Sequence, residues 1–423
     1  METIFALSSG RPPAAIAVVR VSGPRAMDAV TALAGSVPPP RRASLRTLRD
    51  AEGGTLDQAL VFTFPGANSA TGEDLAEFHL HGGRAVVDAV LRALARLPQM
   101  RAALPGEFTR RSLINGRVDL AQAQGLADLL EAETDQARRA ALAATEGKLS
   151  REVRGWMERL SEIAAFVEAE LDHADEDDVE DHVVDEACRR AVGLREELEA
   201  ALRLPSVERL RDGPLIVLAG PPNAGKSSLF NALLEREAAI VTPIAGTTRD
   251  VIEASVVRSG MAYRLVDTAG LANETSDPVE QIGIRRASDL ISHADTILWL
   301  GAPDAAPDRS IVIAARADLE LESSRSGTKV SVLWPETISA LWQTIEERHG
   351  SRALWNAVHF HDHQREGVGE AARELGGFLD TELDLLVRAE HLRYAQRALA
   401  ALLGVDATEA VLDALFARFC IGK

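Results

Sequence analysis

Gly220, Gly225, Lys226 and Ser227 fall within the run Leu215 to Ser228, LIVLAGPPNAGKSS, where residue type and spacing suit a polyphosphate. The glycines let backbone N–H groups face the phosphates, and Lys226 brings a cation to the β and γ groups. The Ser227 hydroxyl suits magnesium, and a helix opening at Ser228 adds the partial positive charge of its N-terminus. Four apolar residues, Leu215 to Leu218, read as the buried strand that delivers the chain to this turn. With a strand before it and an amphipathic helix after it, the segment reads as a phosphate-binding loop that includes Asn223 and Ala224.

Downstream motifs narrow the nucleotide. Thr247 and Thr248 lie in GTTRD, Gly246 to Asp250, where a threonine can ligate magnesium and sense the γ-phosphate. After the apolar strand Tyr263 to Val266 come Asp267, Thr268, Ala269 and Gly270, DTAG. The aspartate would hold magnesium through water, and the Gly270 N–H would reach the γ-phosphate. In this order the three motifs look like a GTPase of the translation-factor-related class.

The guanine reader departs from the usual Asn-Lys-x-Asp. After the strand Ile311 to Ala314 the chain reads Ala315, Arg316, Ala317, Asp318. Asp318 can accept from guanine N1 and the exocyclic amine, which adenine lacks, or else it caps the next segment. Ala315 lacks the asparagine contacts, a loss of roughly 1 to 3 kcal/mol where a partner is left buried and unpaired. GTP preference with weakened affinity or selectivity is expected. Leu271, Ala272 and Asn273 follow DTAG, and none can orient water well. Asn223 either helps coordinate a monovalent cation or stiffens its turn. Glu280, at the start of the helix expected in PVEQIG, either caps that helix or serves catalysis.

At 423 residues the chain exceeds one nucleotide-binding domain, so two or three domains are expected. No apolar run approaches the roughly 18 residues that span a bilayer, and METIFALSSGRPP lacks a basic stretch before a hydrophobic one. A soluble, cytoplasmic protein without membrane contact is expected. Cys188 and Cys420 make no disulfide framework. Against 64 Asp plus Glu stand 46 Lys plus Arg, a net charge of −18, which excludes a globally basic RNA surface. RNA contact must then be local or come through a partner.

Three compositional regimes position the motifs. Residues 1 to about 115 mix β-patterned runs, Ala15 to Val21, Ala59 to Phe64 and Ala76 to His81, with helical stretches, separated by turn signals at Pro38 to Pro40 and Gly53-Gly54. This is an α+β module. Helical periodicity runs from about Leu120 to Leu171 and from Val183 to Leu202, around the acidic stretch Asp172 to Glu186, read as a solvated connection. The nucleotide-binding region spans about 211 to 350, and helical periodicity returns from 351 to Phe419. A helical domain interrupted by an α/β GTPase is the economical organisation. His79 and His81 share one face of an expected strand, too few ligands for a metal.

Over essentially its whole length the sequence resembles the tRNA modification GTPase MnmE (TrmE) family. The resemblance rests on ATGEDLAEFHLHGG (Ala70 to Gly83), PGEFTRRSLINGRVDLAQAQGLADL (Pro105 to Leu129), the terminal FCIGK (Phe419 to Lys423) and the GTPase motifs. It implies a multidomain fold: an α+β folate-binding and dimerising domain (1–117), an all-α helical domain in two parts (118–210 and 351–423), and an inserted Ras-like P-loop GTPase domain (211–350). It further implies a homodimer that joins an FAD-dependent partner in a heterotetramer and reaches tRNA largely through that partner. The implied reaction adds a carboxymethylaminomethyl or aminomethyl group to C5 of the wobble uridine, from a formyl-tetrahydrofolate-type donor.

Carried over by residue, Arg20, Glu77, Arg117 and Lys423 match the folate site, and Cys420 matches a terminal cysteine considered reactive. Asn223 with Thr242, Pro243, Ile244, Ala245, Gly246 and Thr247 matches the surroundings of an activating potassium ion, with Asn223, Thr242, Ile244 and Thr247 as its ligands. Ser227 and Thr248 match the magnesium ligands, Ser228 closes the phosphate loop, and Lys226 and Glu280 match catalytic positions. TSDPVEQIG carries one extra residue before the glutamate, and Ala272 replaces a common arginine. Two other classes stay open: a GTP-switched assembly or ribosome-binding protein, and a scaffold with weakened hydrolysis.

Overall fold

The structure is a computed structural model, and it describes residues 2–172, 182–234, 252–268, 288–318, 327–349, 357–405, 409–417, 419 and 422. Two compact units emerge. One comprises Met1–Ala127, Ala144–Arg190 and Gly377–Lys423, the other Asp128–Ala143 and Ala191–Gly376.

The first unit opens with β1 (Thr3–Leu7), β2 (Ile16–Ser22), α1 (Ala26–Ala34), β3 (Ser44–Arg49), β4 (Thr55–Phe64), β5 (Leu75–His81), α2 (Arg84–Ala95), β6 (Met100–Ala102) and α3 (Glu107–Ile114). The three β-patterned runs of the sequence thus fall in β2, β4 and β5. The strands form one sheet in the order β3-β4-β5-β2-β1-β6, antiparallel except for the β1–β6 pair. Period-two alternation sends Ala17, Val19 and Val21 of β2, with Val61, Phe78 and Leu80, to the face covered by α1 and α2. The opposite face carries Arg20 paired in register with Glu77, and α3 seals its β1 end through Phe108 on Ile4 and Ala6.

Periodicity between Leu120 and Leu171 resolves into three helices: α4 (Leu120–Glu131), α5 (Asp135–Thr145) and α6 (Lys148–Asp172). The breaks have local causes. Thr134 Oγ1 accepts the Ala137 N–H at 3.0 Å and starts a new helix, and Gly147 at φ +77° adopts the left-handed turn that ends α5. Further on lie α7 (His182–Leu202), α8 (Val207–Asp212), β7 (Leu215–Ala219), α9 (Lys226–Leu234), β8 (Ile252–Arg258), β9 (Met261–Asp267), β10 (Thr296–Trp299), β11 (Ser310–Ala315) and β12 (Thr328–Val330). The described helices end with α10 (Pro335–His349), α11 (Asp362–Phe378), α12 (Leu385–Leu402) and α13 (Glu409–Ala417). Asp384 caps α12 through the Leu386 N–H at 2.9 Å, and the Gln396 amide of that helix donates to Ser161 of α6.

The second unit is built on a sheet of order β12-β11-β10-β7-β9-β8, parallel except for the β8–β9 hairpin. Ser259 at φ +51° and Gly260 at φ +81° form its two-residue turn, whose twist suits a tight hairpin. Tyr263 and Trp342, both fully buried, meet edge to face at 5.3 Å and anchor α10 on the sheet. The α+β module, the helices and the P-loop α/β sheet expected from the sequence are all present.

Candidate functional site

β7 is buried from end to end and points the chain at the carboxyl edge of a parallel sheet, where α/β folds place their ligands. Gly220 leaves the strand at φ +146°, and a Cβ there would meet the Leu300 backbone at 3.1 Å. Glycine is therefore favoured by conformation, and the space for a Cβ is tight. Asn223 at φ +60° and Gly225 at φ +97° complete the turn. Lys226 opens α9 and folds Nζ back across the loop onto the carbonyl oxygens of Gly220 and Pro221, 2.9 Å each. Burial lowers its pKa, and the nearby Asp267 charge opposes that shift. Ser227 and Ser228 stand exposed in the first turn of α9, beside the half-buried Ala224.

Strand pairing sets Asp267, the last residue of β9 and 1% exposed, opposite Leu218 of β7. Thr268 Oγ1 donates to the Leu218 carbonyl at 2.7 Å, fixing the carboxyl end of β9 against β7. On the other side of β7, Arg316 at φ +59° donates to the Asn223 carbonyl at 3.1 Å. A cavity of about 530 Å³ lies here, bounded by Asn223, Gly301, Ala315 and Arg316. Asp318 accepts a hydrogen bond from Ser331 Oγ, which also accepts the Leu333 N–H at 3.2 Å. Ser331 was not singled out by the sequence. A lone serine after a three-residue strand forms no pattern, and only the pairing of Ala315 with Val330 brings it beside Asp318.

A second constellation lies on the N-terminal sheet. Arg20 Nη2 and Nε bond Glu77 Oε1 at 2.7 and 3.0 Å, and His79 reaches Glu77 Oε2 at 3.2 Å. Burial pushes the Glu77 carboxyl up, but Arg20 and His79 together outweigh it and hold the pKa below the usual range. Arg20 also sits 5.8 Å from the Phe108 ring centre. Arg20 and Arg117 line one cavity of about 320 Å³ with Thr71, Phe108, Gln122 and Leu126. The fold thus brings two cations and an apolar wall to one opening. His81 instead pairs with Asp57 at 2.7 Å, and the described residues contain no cluster of three or more potential metal ligands.

Thr242 to Thr248, Ala269, Gly270, Glu280, Cys420 and Lys423 lie outside the described residues, as does 173–181 of the acidic stretch. Cys188 accepts a hydrogen bond from Arg388 at 3.0 Å. No described helix is long and apolar enough to cross a membrane.

Comparison with known proteins covers the full chain. A family model described as the GTP-binding protein TrmE N-terminus matches residues 3–117, and one described as the MnmE helical domain matches residues 120–420. The tRNA modification GTPase MnmE of Erythrobacter litoralis is 51% identical across 100% of both chains. The protein of the same name from Rhizorhabdus wittichii is 50% identical over 100% of this chain and 97% of its own. Among solved structures, the G domain of the T. maritima FeoB iron transporter matches 32% of this chain and 98% of its own, at 23% identity and a TM-score of 0.23. Identity of this degree from end to end shows that the chain belongs to the tRNA modification GTPase MnmE family.

Proposed function

We propose that this protein hydrolyses GTP in the service of tRNA modification. In full, the reading is a potassium-activated GTPase that works with an FAD-dependent partner to install a carboxymethylaminomethyl or aminomethyl group on C5 of the wobble uridine. The observation that carries it is the phosphate loop at the carboxyl end of β7, with Lys226 lying across it and Asp267 alongside.

The Ser227 hydroxyl and the buried Asp267 carboxylate are oxygen donors of the kind that magnesium prefers, and Thr248 completes the assigned set. Asn223, Thr242, Ile244 and Thr247 offer oxygens to a monovalent cation. These residues would hold magnesium and potassium, and the two cations would supply neutralisation of the negative charge that develops on the phosphates. Lys226 then exchanges loop carbonyls for phosphate oxygens, Thr268 and Gly270 fix the γ-phosphate, and Glu280 orients the attacking water. Asp318, held by Ser331, reads guanine.

The N-terminal cavity suits a folate: Arg20 and Arg117 are cations for its glutamate tail, and Phe108 and Leu126 are apolar surface for its ring. Lys423 and Glu77 complete that assigned set. Leu45 and Leu60, cross-strand neighbours that are 64% and 41% exposed on the sheet, support the homodimer. The test is GTP turnover in potassium against sodium. Wild type is expected to be at least tenfold faster in potassium, and Glu280→Ala is expected to lose that turnover; a rate indifferent to both would overturn the mechanism.

A further inference from the structure

Several cations of the first unit are matched by carboxylates: Arg20 pairs with Glu77, Arg101 with Glu107 and Arg111 with Glu73. Those at the edge of its sheet are not. Residues 29–49 hold four arginines and no carboxylate, in a chain with 64 Asp plus Glu. Arg41 and Arg42 lead into β3, and Arg46 and Arg49 lie on it. Among the described residues none of the four has an ion-pair partner, and all but the half-buried Arg46 are exposed.

The bonds they do make orient the guanidinium groups without cancelling their charge. Arg41 donates to the Asn68 carbonyl and sits 5.5 Å from the Phe64 ring centre. Arg46 Nη1 donates to the Leu45 carbonyl at 3.1 Å, and Arg49 Nη1 to the Gly53 carbonyl at 3.0 Å. A guanidinium has five N–H donors, so most of each fork is left for another acceptor. Arg46 Nε is itself buried without a hydrogen-bond partner.

β3 is the outermost strand of its sheet, paired with β4 alone. Its outer edge therefore adds unpaired backbone N–H groups, and at about 3.3 Å per residue the row from Arg41 to Arg49 runs up to about 26 Å. Leu45 lies opposite Leu60 on the open sheet face, and alternation sends Arg46 to the other side, clear of the apolar patch assigned to the homodimer. Oriented guanidinium forks beside backbone donors suit phosphodiester oxygens, and in a chain of net charge −18 this stretch is a local exception. Residues 29–49 contain no aromatic side chain on which a base could stack, so the contact suits the backbone of a nucleic acid rather than its sequence.

We propose that the β3 edge, from Arg41 to Arg49, is the surface by which this protein touches tRNA directly, through the phosphate backbone. The proposal rests on the tRNA reading given above.

The experiment is fluorescence anisotropy of a labelled, unmodified tRNA transcript with uridine at the wobble position, titrated with the full-length protein across a range of salt. Wild type is compared with the triple variant Arg42→Ala, Arg46→Ala, Arg49→Ala and with the triple Arg42→Lys, Arg46→Lys, Arg49→Lys; Arg41 stays because it packs on Phe64. The alanine triple is expected to bind about tenfold or more weakly, with a slope of log K against log salt shallower by about 2, the loss of roughly three phosphate contacts. The lysine triple should keep the slope, and unaltered circular dichroism in both separates lost contact from lost fold. Equal affinity and slope in wild type and the alanine triple would overturn the proposal, as for an edge that seats an acidic protein face instead. Should the alanine triple not fold, Arg42→Glu, at an exposed position before the strand, decides alone: binding about threefold weaker or more is expected, and unchanged binding overturns the proposal. A wild type that binds no tRNA would also overturn it, while modified wobble uridines that vanish on deletion of the gene would leave the tRNA reading standing.

Discussion

Among single residues, Ala315 carries the sharpest consequence. The proposed phosphate loop is built from backbone geometry, so Gly220, Gly225 and Lys226 were legible in the sequence as a spaced motif, and the fold places them at the end of β7. The proposed base reader depends on side chains that meet across strands. Arg316 spans to the Asn223 carbonyl and Ser331 holds Asp318, and neither contact has a signature along the chain. Ala315 packs against the sheet core and offers no polar group to the base or the loop. Restoring the amide should therefore help: Ala315→Asn is expected to tighten GTP about three- to tenfold, the gain from one to two net hydrogen bonds. It should also widen discrimination against ITP and XTP, as measured by competition. Unchanged affinity would mean that Arg316 and Ser331 already replace what the asparagine does elsewhere.

At the level of elements, helices were legible by periodicity, but their breaks and joints were not. Leu120 to Leu171 reads as one long repeat, yet Thr134 and Gly147 divide it. The joint that sequence reasoning passed over is His361. Its Nε2 lies 2.8 Å from Asp128 of α4 and its Nδ1 2.7 Å from Glu208 of α8, while the Asp362 N–H at the start of α11 bonds the second Glu208 oxygen. Burial alone would lower the His361 pKa, but hydrogen bonds and charge from Asp128 and Glu208 outweigh it and raise the pKa above 6.5. A raised folded-state pKa means that this stabilisation is fully present below the unfolded value, about pH 6.5, and is lost as pH climbs through the folded one. His363, stacked on His361 at 5.4 Å, shifts the opposite way through burial and the His361 charge. His361→Leu leaves two carboxylates facing each other and is expected to cost about 3 kcal/mol at pH 6. The gap to wild type in denaturant titrations should narrow by pH 9; a gap independent of pH would contradict the charged clamp.

For the whole molecule, the domain classes were legible in the sequence because each has its own hydrophobic period: two for the N-terminal sheet, 3.6 for the helices, and a strand-loop-helix at the phosphates. The contact of Ser8 with Gly422 was hidden, since the two are 414 residues apart in the chain. Net charge was informative in a different way. At −18 the chain has no general attraction for RNA, so under the proposed function the partner would hold much of the tRNA while this protein would supply GTP turnover and the one-carbon donor. Under the proposed function the cavity beside Asn223 would take the nucleotide and the one beside Arg20 the one-carbon donor. The central claim is most directly tested by mass analysis of wobble uridines in tRNA from a strain lacking this protein. C5-aminomethyl-type nucleosides are expected to disappear, to return with the wild-type gene, and to stay absent with Lys226→Ala; an unchanged nucleoside profile in the deletion strain would overturn the role in wobble-uridine modification.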